Sequence, residues 1–102
     1  MSKVFIPNKG VHDYSDAERF GEIVFCTDGI LSKFAVSQMH RLLSESMKDS
    51  TKEDWILATS LTILVSVASS IFVNKHGRLR LLLYDGERYV DREIVFEQED
   101  KE

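Results

Sequence analysis

The 102-residue sequence holds one cysteine, one proline and five glycines, and each scarcity closes off a class of protein. A lone cysteine, Cys26, forms no intrachain disulfide; this excludes a disulfide-stapled scaffold and suits a reducing cytoplasm. So little proline and glycine leaves no material for a flexible or polyproline linker, and long structureless loops are not expected. Excess positive charge is also missing. Thirteen Lys and Arg against seventeen Asp and Glu give a net charge of −4, which argues against non-specific nucleic-acid binding, a process driven by cationic groups neutralising phosphates. The opening MSKVFIPNKG has no apolar run after its lysine and is not expected to act as a secretory signal. His12, His40, His76 and Cys26 show no metal-ligand spacing, so neither a metal nor a cofactor is expected.

What is present is the balance of a globular domain: 43% apolar and 29% charged residues. The expectation is one α/β domain over residues 1–96, followed by a charged, frayed tail over 97–102. One stretch requires a membrane test, because Trp55 to Val73 carries no charge and approaches spanning length. Thr59, Ser60, Thr62, Ser66, Ser69 and Ser70 interrupt its apolar character, and no aromatic belt flanks it. A buried strand followed by a buried helix is the expected reading, with no membrane contact.

Val4 to Ile6 reads as a first strand stopped by Pro7-Asn8-Lys9-Gly10. Ser15 with Glu18 three places on resembles a capping box, and Gly21 a left-handed stop, which together frame a two-turn helix docked by Tyr14, Ala17 and Phe20. Glu22 to Cys26 is a second strand, ended by Thr27-Asp28-Gly29. An amphipathic helix then starts between Ser32 and Ser37, with Val36, Met39, Leu43 and Met47 at helical spacing and Leu42 widening the stripe. Trp55 to Ala58 is a third strand. The next helix, capped at Thr59 or Ser60, buries Leu61, Leu64, Val65, Ala68 and Phe72 and ends at Lys75-His76-Gly77. A hairpin closes the chain: Leu79, Leu81 and Leu83 alternate with Arg78, Arg80, Leu82 and Tyr84, Asp85-Gly86 turns, and Val90 to Phe96 returns. The order β-α-β-α-β-α-β-β predicts a small two- or three-layer α/β fold, its mixed sheet mostly parallel with a C-terminal antiparallel hairpin.

In such a sheet, ligands bind outside the carboxyl ends of the strands. Those ends carry Asn8, Lys9, His12 and Asp13 in the first loop, Asp28 in the second, and Thr59 and Ser60 in the third. They form a candidate ligand rim, with amides at the start of the last helix able to receive a phosphate. Turn and capping chemistry explains the same residue types equally well, and no glycine-rich phosphate motif is present. His12 beside Asp13 and Asp16 permits a general base, but no nucleophile stands near, so no catalytic residue is assigned. Cys26, ending an apolar strand, reads as a small buried hydrophobe. Arg78 and Arg80 would share one strand face; a small anion site is one reading and a solvated edge the commoner one.

The runs Phe5-Ile6-Pro7-Asn8-Lys9 and His12 to Gly21, then Asp54-Trp55-Ile56-Leu57, then Lys75-His76-Gly77-Arg78 with its leucine-rich strand, resemble in the same order a group of small tailed-phage proteins to which no activity is attached. The resemblance implies a viral origin and action inside an infected bacterial cell, and it carries no catalytic residues. The leading expectation is a non-enzymatic accessory protein. It would bind a host or defence protein, a phage protein, or a small phosphorylated, nucleotide-like ligand in the cytoplasm. The alternatives are a small enzyme acting on a phosphorylated or nucleotide substrate at the rim, and a virion or lysis component. Self-association through the sheet edge or hairpin is a further expectation.

Overall fold

In a computed structural model, which describes residues 2–29, 32, 34–58 and 61–96, five strands form one sheet in the order β2-β1-β3-β4-β5. The strands are β1 (Lys3–Ile6), β2 (Glu22–Phe25), β3 (Trp55–Leu57), β4 (Arg78–Tyr84) and β5 (Tyr89–Val95). β1 runs parallel to both β2 and β3, and β3 runs parallel to β4. Only β4 and β5 are antiparallel. The mixed α/β architecture is the one the element order predicts, since parallel neighbours need crossovers and a short turn permits only antiparallel return.

The layers follow from strand alternation. On one face Val4, Ile6, Trp55, Leu57 and Leu82 pack with Tyr14, Ala17 and Tyr89 beneath a 3-10 helix over Ser15–Phe20. On the other, Phe5 and Ile56 meet Met39, Leu43 and Met47 of the α1 region (Val36–Ser46) and Leu64, Ala68 and Phe72 of α2 (Thr62–His76). The uncharged middle segment is therefore cut in two, β3 and then α2, and no described helix is long and apolar enough to cross a membrane. Gly77 ends α2 in the left-handed conformation, φ 70°, its N–H donating to Val73 O.

Several local expectations are corrected. The first helix is 3-10, with no side-chain cap from Ser15; instead the Ser15 N–H donates to Asp13 Oδ1 at 3.0 Å. Gly21 is no left-handed stop. Its φ is positive but its ψ is not left-handed helical (φ 158°, ψ −177°), a region essentially confined to glycine, and a Cβ there would also lie 2.4 Å from Ser2 O. Val36 begins α1 but is exposed, so the buried stripe starts at Met39. α2 begins at Thr62 behind Leu61, with no side-chain cap, and Thr59 and Ser60 lie outside the described residues, as does the tail over 97–102.

Nor are Arg78 and Arg80 a solvated edge. β4 is an interior strand, and their side chains are only 23% and 14% exposed. The 3-10 helix is too short to roof the whole face, and Arg80 takes over the cover with its guanidinium 3.7 Å from the Trp55 ring centroid. Glu93, directly opposite Arg80 on β5, pairs with both arginines. The two basic residues just before β4, Lys75 and His76, face elsewhere. Lys75 Nζ donates to the Met47 and Lys48 carbonyls behind α1, and His76 Nε2 sits 2.9 Å from Ser50 Oγ. Partial burial holds the His76 imidazole below its ordinary pKa, reinforced by Lys75 beside it.

Candidate functional site

Each crossover leaves the sheet from the carboxyl end of a strand. From β1 the chain turns to one face, through the 3-10 helix, and reaches β2 at one edge. From β3 it turns to the opposite face, through α2, and reaches β4 toward the other edge. β1 and β3 are neighbours, so two chains diverge from adjacent strand ends and open a crevice between them, the switch point of an open α/β sheet. A cleft of about 290 Å³ lies there, lined by His12, Asp13 and Tyr14 after β1, Leu57 and Ala58 at the end of β3, and Tyr84 and Tyr89 from the hairpin.

Its walls are aromatic. Tyr84 and Tyr89 form the last rung of the β4–β5 ladder, so both rings project to one face, with centroids 5.1 Å apart and planes tilted by 52°. Tyr14 and His12 meet edge to face at 6.1 Å. The Tyr14 hydroxyl accepts a hydrogen bond from Gly10 N at 3.1 Å, which fixes the loop across the ring. Tyr89 is anchored through its backbone: its N–H donates to Asp16 Oδ2 at 2.8 Å, and its carbonyl accepts from Arg19. Burial raises the pKa of its phenol, and Tyr84 is left 57% exposed at the mouth. The Ser15 N–H lowers the Asp13 pKa, so this carboxyl is ionised at neutral pH.

The residues expected from the sequence are spread along this rim, and His12 and Asp13 also line, with Lys9, Ser15 and Phe25, a neighbouring pocket of about 320 Å³. His12 and Asp13 line the cleft, and Asp13 is turned toward Ser15 rather than toward His12. Asn8, Lys9 and Asp28 stand one strand over, beyond β1 and β2, where Lys9 and Asp28 form a parallel bridge. There Lys9 N donates to Thr27 O at 2.9 Å, and the buried Thr27 hydroxyl sits 2.7 Å from Pro7 O and 2.8 Å from Asn8 Oδ1. Lys9 Nζ lies 5.1 Å from the Phe25 ring centroid, outside the switch-point cleft. Sequence reasoning misses Tyr84 and Tyr89 as site residues because hairpin alternation accounts for them. The available signal is that they bracket the turn, which puts them opposite each other and on one face.

A family model described as phage Pam3 gp32-like protein matches residues 2–98. The chain belongs to that family. No curated protein and no solved structure matches it. Membership makes this a small phage protein, in keeping with the tailed-phage resemblance of its sequence, and the family description specifies no chemistry for the cleft.

The remaining candidate nucleophile is inert as placed. Cys26 packs against the α1–α2 side of the core, and burial pushes its thiol up to about 12. A chromogenic disulfide reagent at neutral pH is expected to label the native protein at least about tenfold more slowly than the urea-unfolded chain, because the thiolate is the reacting species. Equal rates would show the sulfur to be freely accessible and ionisable. Among the described residues, no group of three or more His, Cys, Asp and Glu is placed to hold a metal ion.

Proposed function

We propose that this phage protein is an accessory binding protein that acts inside the bacterial cell by holding a nucleotide-like ligand, with the base in the switch-point cleft. The observation that carries this reading is the position of that cleft. It occupies the crevice between β1 and β3 where the crossovers diverge, and it is lined by Tyr14 on the loop after β1 and by Tyr84 and Tyr89 at the turn end of β4 and β5. Its lining of Tyr14, His12, Tyr84 and Tyr89 with the apolar Leu57 and Ala58 offers aromatic and apolar surface for a flat base. Stacking on aromatic side chains contributes about 1–3 kcal/mol per base.

Tyr84→Ala tests it. The ring is largely exposed, so removing it is expected to leave the melting temperature within about 2 °C of the parent, as for surface substitutions generally. Nucleoside affinity measured by calorimetry is expected to fall at least about tenfold. Failure of the parent protein to bind any nucleoside at millimolar concentration would overturn the reading.

A further inference from the structure

Asp13 is the one formally charged side chain among the described residues lining the cleft, and no lysine or arginine is among them. Lys9 lies over Phe25, in the neighbouring pocket that Asp13 also lines. The Asp13 carboxylate is not a swinging group, since Oδ1 accepts the Ser15 N–H at 3.0 Å, at the start of the 3-10 helix. A ring lying against Tyr84 and Tyr89 with its edge toward Asp13 would meet an acceptor-only group. An ionised carboxylate presents two oxygens side by side and pairs best with two parallel N–H donors. A base edge carrying a lone pair at that point would face a negative charge, and one carrying a single N–H would leave half of the carboxylate unmatched.

We infer that the cleft selects a base whose edge presents two adjacent N–H donors, the pattern of guanine, with Asp13 as the acceptor. This rests on the nucleoside reading of the cleft and specifies which base it takes. Guanine offers a ring N–H beside an exocyclic amine. Hypoxanthine keeps only the ring N–H, and adenine places an unprotonated ring nitrogen next to its amine.

The test is calorimetric titration of the full chain with guanosine, inosine and adenosine, none of which carries a phosphate, so that the base edge alone is compared. Guanosine is expected to bind at least about tenfold more tightly than inosine, the effect of one charge-assisted hydrogen bond, and more tightly still than adenosine. Asp13→Asn keeps an oxygen for the Ser15 N–H but replaces the second acceptor with an amine. It is expected to abolish the preference for guanosine over inosine while leaving the melting temperature unchanged. Three nucleosides bound equally by the parent protein, or an unaltered preference in Asp13→Asn, would overturn the inference and leave the nucleoside reading standing. No binding of any of the three would remove that reading and the inference together. The parent series needs no variant, so the selectivity is measured even if Asp13→Asn folds poorly.

Discussion

Gly21→Ala is expected to lower stability by about 2–4 kcal/mol, about 1–3 for forced overpacking and about 1 for a side chain held at a φ of 158°. The new Cβ would stand 2.4 Å from Ser2 O and 2.7 Å from Ser2 C, both backbone atoms that no rotamer change can move aside. Relief requires the beginnings of β1 and β2 to separate. That weakens the hydrogen bond from Glu22 N to Ser2 O and the Lys3–Glu22 pair with which the ladder begins. Gly29→Ala is the control. Nothing lies within 4 Å of its Cβ position, and it bears only the cost of a φ of 89°, about 1 kcal/mol. For a chain of this length each kcal/mol moves the melting temperature by roughly 4–8 °C. Thermal unfolding should therefore separate the two variants by several degrees, and a Gly21→Ala protein that melts with or above Gly29→Ala would refute the close approach.

Asp54→Ala is expected to cost at most about 2–6 kcal/mol, the sum of two part-buried amides left unmet. The side chain is 1% exposed, and its two oxygens accept from two backbone amides, Lys3 N at 2.8 Å and Thr51 N at 2.7 Å. Val4 pairs with Trp55, so the next rung outward would be Lys3 with Asp54. The carboxylate thus takes the place of a ladder carbonyl, tying the start of β1 to the loop that launches β3. Alanine would leave two N–H groups without their acceptor beside a buried side-chain site, Lys3 half-buried and Thr51 exposed, at up to about 1–3 kcal/mol each. An asparagine side chain would keep one acceptor and point its amine at the other N–H. Asp54→Asn should therefore fall between the parent and alanine in the midpoint of urea unfolding. Equal midpoints for parent and alanine would show that the two bonds contribute nothing net. The negative charge also reaches across the fold, drawing the His76 and Arg80 pKa values upward against the burial that lowers them.

A lysate pull-down addresses the protein-partner alternative without disturbing either variant. A specific host protein retained by the parent and by Tyr84→Ala alike would point to a surface other than the cleft.

The strands and both α-helices were legible because their signals are local. Leu64, Ala68 and Phe72 recur every fourth residue and bury one stripe of α2. Leu82 falls on the opposite side from Leu79 and Leu81, as a strand with cover on both faces requires. The break between β3 and α2 was favoured over one long helix across 54–76 by length and by the burial of both pieces, and the fold decides it. The rim was legible for the same reason: parallel strands end together, so Asn8, His12 and Asp28 had to share one side of the sheet.

Contacts between segments distant in sequence were beyond any local pattern. Gly21 looked like a helix stop because glycine has two uses, and only the backbone of Ser2, nineteen places earlier, reveals that the second applies. Arg78 and Arg80 looked solvated because charge on a strand usually is; Trp55 and Glu93 turned them into a roof. The amino-acid order by itself determined the alternation of elements and the end of the sheet where loops collect. Strand order, and with it the crevice between β1 and β3 where Asp13 meets Tyr84 and Tyr89, was decided by tertiary packing, because the energy that joins those residues arises only when apolar faces far apart in the chain leave water together.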